Sequence, residues 1–567
     1  MEYVGGKSLK QIRQEARQRR AAVPLAHALA YALEILPALG YLHDRGLVYC
    51  DFKPDNVIQS EEQLKLIDLG GVRAIDGDGA IYGTVGYQAP EIETEGPSPS
   101  SDLYTVGRTL AVLTFDFAFQ GEYKYRLPAD EPLLRTQESF ARLLRRATHT
   151  DPRRRFQSAA EMSEQLTGVL RETLSVDDGE PRPSFSGLFS PELRAVGIDL
   201  RSTGADVALP PAAEVIVGLP VPLVESADPA AGYLATLAGL PPEQQAAALL
   251  AAAAGQGGVP PAVSASAETR LALVRALVMA GDVGQAEAQL AELAAAGPTD
   301  WRIAWYTGLC ELARARPDRA GAAFSAVFDE LPGELAPKLA LGFAAEAAGQ
   351  PAAARHYYQT VWAIDRSCVS AAFGAARSSL ASGDRVAAIA SVAAVPQTSS
   401  HHAAAQIAAI RLLVSAGGTG AGAGNGTGAG AGVGNGNGNG SRIGIGAGSG
   451  GAGVGAAPAG GGVSVGDLRQ ADSRLGVLAL DDLRREQLTV EILRAALDWV
   501  SAAPAGTTRR RGEPAGGERI LGCEPTERAL RFGLERGYRA LASLTPDPAR
   551  RIELIDMANG IRPRTWT

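Results

Sequence analysis

Tyr49-Cys50-Asp51-Phe52-Lys53-Pro54-Asp55-Asn56, followed twelve residues after Asn56 by Asp68-Leu69-Gly70, is the stretch on which the reading of this chain turns. Phosphoryl transfer asks little covalent help of a protein. It needs a carboxylate to take up the hydroxyl proton and cations to gather charge. Asp51 is placed as that carboxylate, and Lys53, two residues on, can reach the transferring phosphate. Asn56 and Asp68 offer the oxygen ligands that Mg²⁺ prefers beside phosphate oxygens. Between them, Leu64-Lys65-Leu66-Ile67 reads as a short apolar strand that delivers Asp68.

This D-x-K-x-x-N run, strand and D-x-G resemble the catalytic loop and metal motif of serine/threonine protein kinases. The resemblance continues in order. Gly83-Thr84-Val85-Gly86-Tyr87-Gln88-Ala89-Pro90-Glu91 looks like the end of an activation segment. Thr84 stands where these kinases keep a hydroxyl that bonds the catalytic Asp and Lys. Asp102, in Ser101-Asp102-Leu103-Tyr104, resembles the buried carboxylate of the lobe's central helix, and Arg155 is in position to pair with Glu91. A single such motif is more simply an ordinary polar turn; five in family order point to a kinase large lobe. The resemblance implies ATP and Mg²⁺ as cofactors, with protein substrates.

The first residues, Met1 to Leu9, resemble the segment that joins the two kinase lobes, where the backbone of Glu2 and Val4 would bond the adenine edge. Ile58 and Ile67 would floor the nucleotide pocket. Leu25, Leu29, Leu33, Leu36, Leu39 and Leu42 give Pro24–Arg45 a helical period. A kinase ordinarily supplies a Gly-rich loop, a strand Lys and a helix Glu ahead of this hinge. The expectation is therefore either an upstream portion outside this sequence or a kinase-derived scaffold. Tyr49-Cys50 replaces the usual His-Arg, removing the Arg that pairs with an activation-loop phosphate. The hydroxyls of that segment are Tyr82, Thr84 and Tyr87. Cys50 reads as a packed thiol in preference to a redox sensor.

Length and composition set the frame. A chain of 567 residues predicts several domains. A net charge of −8 with acids and bases interspersed leaves no footprint of nucleic-acid binding. The four cysteines are scattered with no C-x-x-C pair, so free thiols are expected in a reducing compartment. No signal-peptide core and no run of eighteen apolar residues is evident, and a cytoplasmic location is expected.

From about 266 an internal period emerges. Gly281, Ala315, Gly349 and Gly383 are spaced by 34, each at a turn. Ala286, Ala320, Ala354 and Ala388 follow by five, then Leu290, Phe324, Tyr358 and Val392 by four more. A small residue where two helices cross, with a large one a turn later, matches the tetratricopeptide repeat, whose stack presents a groove for a peptide or protein partner. Trp301, Trp305, Tyr306 and Phe343 read as core. The predicted class is mainly α: a protein-kinase-like large lobe followed by an α-solenoid of tetratricopeptide repeats. Its boundaries are 1–175 for hinge and lobe, 176–265 for an irregular connector with β-like runs at Val207-Ala208-Leu209 and Val215-Ile216-Val217 and then an Ala-rich helical stretch, and 266–416 for the repeats. A Gly-rich flexible linker at 417–466 and a helical segment at 467–567 complete it, with Arg509-Arg510-Arg511 as solvated charge.

Y-x-D for H-R-D, D-L-G for D-F-G and the repeats together resemble the actinobacterial serine/threonine protein kinase G family. So do Phe189-Ser190-Pro191, Glu334-Leu335-Ala336-Pro337-Lys338, Tyr358-Gln359-Thr360-Val361-Trp362 and Asp556-Met557-Ala558-Asn559. This resemblance implies phosphorylation of a forkhead-associated-domain regulator of 2-oxoglutarate and glutamate metabolism. The family's rubredoxin-like cysteines and small lobe have no counterpart in the sequence. A homodimer through the repeats is left open, and the alternative to an enzyme is an inactive, truncated kinase acting as a repeat scaffold.

Overall fold

The computed structural model describes residues 5–61, 63–75, 77, 83–200, 202–203, 206–256, 258–297, 300–415, 462–502 and 519–563. Glu2, Val4, Tyr82, residues 416–461 of the Gly-rich stretch and Arg509-Arg510-Arg511 therefore lie outside the described residues. The chain forms two compact units, 1–200 with 209–405, and 201–208 with 406–567.

The first unit begins with β1 (Lys7–Ser8) and α1 (Leu9–Gln18). Ser8 caps α1 reciprocally with Gln11, satisfying two amides that the first turn would otherwise leave unpaired. Next come α2 (Leu25–His43), β2 (Leu47–Val48), the hairpin β3 (Val57–Ser60) and β4 (Gln63–Leu66), and β5 (Arg73–Ala74). Strand β1 pairs antiparallel with β3, in register Lys7 to Gln59 and Ser8 to Ile58. The helices α3 (Ile92–Glu95), α4 (Pro99–Thr114), α5 (Pro132–Thr136), α6 (Glu138–Ala147) and α7 (Ala159–Asp178) complete the lobe. Ser98 and Ser101 form a capping box ahead of Pro99, and α4 is buried from Ser100 to Thr114. Around it Leu29, Leu36, Leu103, Leu110, Phe140, Phe156 and Leu166 form one apolar core.

Among the described residues one helix, α2, passes a length and composition test for a membrane span, although no eighteen consecutive apolar residues occur in it. Its 19 residues contain a window of mean hydropathy 1.4, enough to cross by length and composition. His27 and Glu34 interrupt the apolar run. In the lobe, Ala28, Leu29, Ile35, Leu36 and Leu39 of this helix are buried, and it packs against α4 and α7.

A correction falls in the connector. Val215-Ile216-Val217, β-branched and read as strand-like, lies inside the helix α8 (Ala212–Gly218), which packs on the repeats. Tertiary burial of Val215 and Ile216 overrides their β-propensity. Helices α9 (Ala231–Leu237), α10 (Pro242–Ala253) and α11 (Pro261–Ser264) follow.

The repeats are the pairs α12 (Ala267–Ala280) and α13 (Val283–Ala296), α14 (Trp301–Ala313) and α15 (Pro317–Glu330), α16 (Leu335–Ala347) and α17 (Pro351–Ile364), and α18 (Val369–Ala381) and α19 (Arg385–Ala393). All four turn positions of the 34-residue period are left-handed: φ is 86° at Gly281, 55° at Ala315, 70° at Gly349 and 78° at Gly383. Ala315 takes a conformation that favours glycine and completes the set. Ala286, Ala320, Ala354 and Ala388 are fully buried, as are Phe324, Tyr358 and Val392, with Leu290 nearly so. Trp305, Tyr306 and Phe343 are core; Trp301 is half-buried and packs on Phe189.

Lobe and repeats share a seam. Lys338 Nζ, in α16, donates to Glu172 of α7 at 2.8 Å and to Pro332 O at 2.8 Å, and lies 4.9 Å over Phe328. Arg142 of α6 bonds Asp329 at 2.6 Å, and Arg146 bonds Glu330 O at 2.5 Å. At its centre Gly168 meets Gly333 backbone to backbone; a Cβ on Gly168 would sit 2.2 Å from Gly333 O.

The second unit contains α20 (His402–Val414) from Gln406 onward, α21 (Val465–Val477), α22 (Asp482–Ser501), α23 (Glu527–Leu544) and α24 (Pro548–Ile561). Consecutive members from α21 to α24 pack on one another. A two-residue pairing of β6 (Ser202–Thr203) with β7 (Asp206–Val207) belongs to the same unit, so Val207 alone of Val207-Ala208-Leu209 is in a strand.

Candidate active site

The catalytic-loop residues converge as a closed triangle. Lys53 Nζ donates to Asp51 Oδ2 at 2.6 Å and to Thr84 Oγ1 at 2.8 Å, and Thr84 Oγ1 donates to Asp51 Oδ1 at 2.8 Å. Asn56 Nδ2 adds bonds to Asp51 O at 2.9 Å and Asp51 Oδ2 at 3.1 Å. Both carboxylate oxygens of Asp51 are thereby oriented, Oδ1 by Thr84 from 33 residues away and Oδ2 by Lys53 and Asn56 from within the loop.

The loop is held from below. Cys50 has a left-handed φ of 66°, a conformation costing about 1–2 kcal/mol for a residue with a Cβ. Asp102, wholly buried in α4, fixes it: its Oδ1 accepts from Cys50 N at 2.8 Å and its Oδ2 from Tyr49 N at 2.7 Å. His43 Nε2 lies 2.9 Å from the same Oδ2. Burial pushes the Cys50 thiol up to about 12, so it is a packed, unreactive group. Tyr49 Oη is 2.6 Å from Ile67 O and 3.2 Å from Asp68 O, tying the loop to the end of β4. Burial raises this phenol well above its usual value and keeps it a donor.

Asn56 and Asp68 sit at the same end of the β3–β4 hairpin, since Ile67 N bonds Asn56 O at 2.9 Å. Asp68 is exposed and left-handed (φ 61°), with Oδ1 accepting from Gly70 N at 3.2 Å; its carboxylate stands apart from the triangle's hydrogen bonds among the described residues. The donor end of the Asn56 amide is committed to Asp51, so its oxygen is the end a cation would take. Val57 faces Leu66 and Ile58 faces Lys65 across the hairpin. Alternation therefore puts Ile58 and Ile67 on one face, both half-buried, while Val57 enters the core. Glu91 and Arg155 form a buried bidentate pair, both bonds 2.7 Å.

Sequence reasoning missed three contacts: His43–Asp102, Tyr49 Oη on the β4 end, and the Lys10–Asp55 ion pair at 2.5 Å. Only the last carried a local signal, a basic helix beginning close after the hinge-like segment.

A D-x-K-x-x-N loop closed by a threonine and clamped from a central helix, on a helical lobe joined to helix-pair repeats, defines a serine/threonine protein kinase with tetratricopeptide repeats. Comparison with known proteins narrows this. The chain matches the protein kinase domain over 1–191 and the protein kinase G tetratricopeptide repeat over 183–421 and 453–565. It is 40% identical to the serine/threonine-protein kinase PknG of Mycolicibacterium smegmatis over 575 residues, covering 99% of this chain and 68% of that protein. PknG of Mycobacterium leprae is 39% identical over the same shares. PknL of Mycobacterium tuberculosis is 31% identical over 205 residues, 33% of this chain and 50% of that protein. The chain belongs to the protein kinase G family, ATP-dependent serine/threonine protein kinases.

Proposed function

We propose that Asp51 is the acceptor of the substrate hydroxyl proton in transfer of the ATP γ-phosphate to Ser or Thr of a protein. The observation that carries this reading is the Asp51–Lys53–Thr84 triangle. The Ser or Thr oxygen forms its bond to the γ-phosphorus as the bond to the β-phosphate oxygen breaks and ADP leaves; the hydroxyl proton passes to Asp51. Thr84 and Asn56 hold the Asp51 carboxylate in orientation. Lys53 carries positive charge to the transferring phosphate. Asn56 and Asp68 would hold Mg²⁺, which neutralises phosphate charge when bound. Ile58 and Ile67 would offer the adenine an apolar floor; Glu2 and Val4, whose backbone the kinase resemblance assigns to the adenine edge, lie outside the described residues.

Family likeness supports finer readings. They are a cytoplasmic kinase acting on a forkhead-associated-domain regulator of 2-oxoglutarate and glutamate metabolism, with a peptide, protein partner or second copy in the repeat groove. The test is Asp51→Asn in the full-length protein. Phosphotransfer should fall by about 10²–10⁴-fold with melting unchanged. Unchanged activity would refute the role of Asp51, and no stabilisation by Mg·ATP would favour the scaffold reading.

A further inference from the structure

The six bases of Lys7–Arg20 stand out in a chain whose net charge is −8. Lys7, Lys10, Arg13, Arg17, Arg19 and Arg20 share fourteen residues with one acid, Glu15. The helix α1 is amphipathic: Leu9 is buried, and Ile12 and Ala16 pack against the core of the lobe. Lys10, Arg13 and Arg17 fall at i, i+3 and i+7, one stripe along a flank of that apolar face.

Both ends of the stripe reach segments that frame the triangle. Lys10 Nζ bonds Asp55, which lies between Lys53 and Asn56 in the catalytic loop. Arg13 bonds Asp116 at 3.4 Å and its guanidinium lies 5.8 Å from the Phe119 ring. Phe119 packs edge-on to Tyr87 at 5.2 Å, and Tyr87 N bonds Thr84 O at 3.1 Å. Arg17 also bonds Asp116. The stripe thus borders the route by which an acceptor hydroxyl must approach Asp51.

Its charge is unbalanced. Asp55 and Asp116 face the three bases of the stripe, a surplus of one; Glu15 answers Lys7, and Arg19 and Arg20 bring the surplus of the whole Lys7–Arg20 segment to three. Lys10 and Arg17 are half exposed, as their partners are, and such pairs are held by only about 0.2–1 kcal/mol. An incoming carboxylate can exchange into them.

We propose that Lys10, Arg13 and Arg17 select the phosphoacceptor segment, favouring Ser or Thr flanked by Asp or Glu over one flanked by Lys or Arg. This rests on the phosphotransfer reading above. Lys10 and Arg17 are exposed and their ion pairs are with Asp55 and Asp116 and not with the triangle, so they act on binding and the preference resides in KM with kcat little changed.

The test uses the full-length protein and a Ser/Thr peptide library carrying Glu, Ala or Lys at each position flanking the acceptor. Wild type should prefer the best Glu position to its Lys counterpart by about tenfold in kcat/KM, from two contacts of up to about fivefold each. Raising ionic strength from about 0.05 to 0.5 M should shrink that ratio towards one, a readout that needs no variant. Lys10→Glu with Arg17→Glu should invert the preference through KM. Phosphorylation indifferent to charge, or a preference unmoved by both salt and the double variant, overturns the inference and leaves the phosphotransfer reading standing. No transfer to any peptide or protein by wild type refutes that reading and takes the inference with it.

Discussion

Lys338→Met isolates the ion pair at the seam between lobe and repeats. The methionine keeps the length of the stem over Phe328 and removes only the charge and its donors. Lys338 is 1% exposed and Glu172 12%, so the carboxylate left behind is buried without its cation. Breaking a buried pair from one side costs about 3–5 kcal/mol. Ser139 Oγ still bonds both oxygens of Glu172, at 2.8 and 2.7 Å, which places the expected loss near the lower end, about 3 kcal/mol. The assay is urea unfolding of the chain followed by tryptophan fluorescence, with Trp305 and Trp362 both in the repeats. Lys338→Met with Glu172→Leu should recover to within about 1 kcal/mol of wild type, because an apolar pair replaces both charges at once. A single variant within about 0.5 kcal/mol of wild type, or a double variant less stable than either single, would refute the reasoning.

Thr84→Val removes the hydroxyl between Asp51 and Lys53. Bonds of this charged kind are worth about 1.5–3 kcal/mol, so kcat/KM should fall by about 10–100-fold. Thr84→Ser should restore most of it; equal activity in Val and Ser variants would contradict the triangle's role. Cys50 and Cys310 are both pushed by burial up to about 12 from the usual 9.0. Their contribution to stability is full below about pH 9, where both states are protonated. It is lost as pH rises from 9 to 12 because the unfolded chain ionises first, at up to about 1.4 kcal/mol per pH unit for each thiol. Melting from pH 8 to 10.5, with and without Cys50→Ala, measures this, and iodoacetamide at pH 8 should leave Cys50 unlabelled in the folded protein.

The catalytic loop was legible because its chemistry is local: Asp51, Lys53 and Asn56 lie within six residues, and spacing alone brings them to one turn. Thr84 and Arg155 were placed by family resemblance, since nothing near them says which carboxylate they meet. The repeats declared themselves because one backbone need, a left-handed turn beside a close helix crossing, recurs every 34 residues. The seam was not legible. Lys338 and Glu172 are far apart in the chain, and a lysine in a helix reads as solvated until packing buries it. Val215-Ile216-Val217 misled for the converse reason: β-branched residues record a liking for crowded surfaces, and a helix packed on the repeats provides one as well as a sheet does.

Gly168 and Gly333 meet with no room for a Cβ on either side. A stack of repeats lengthens by whole units, each answerable only to its neighbours. Here one stretch, from Ser325 to Ile364, is also answerable to the lobe: Arg142 bonds Ser325, Lys338 bonds Glu172, and α17 packs on α7. It is the origin from which the other units are counted. A 34-residue duplication beyond α18 would extend the stack and leave the lobe seated, whereas one added residue between 325 and 338 would rotate every later helix out of phase with α7. Variation in this architecture is thus free in steps of a full repeat at its far end and forbidden in steps of one at its middle.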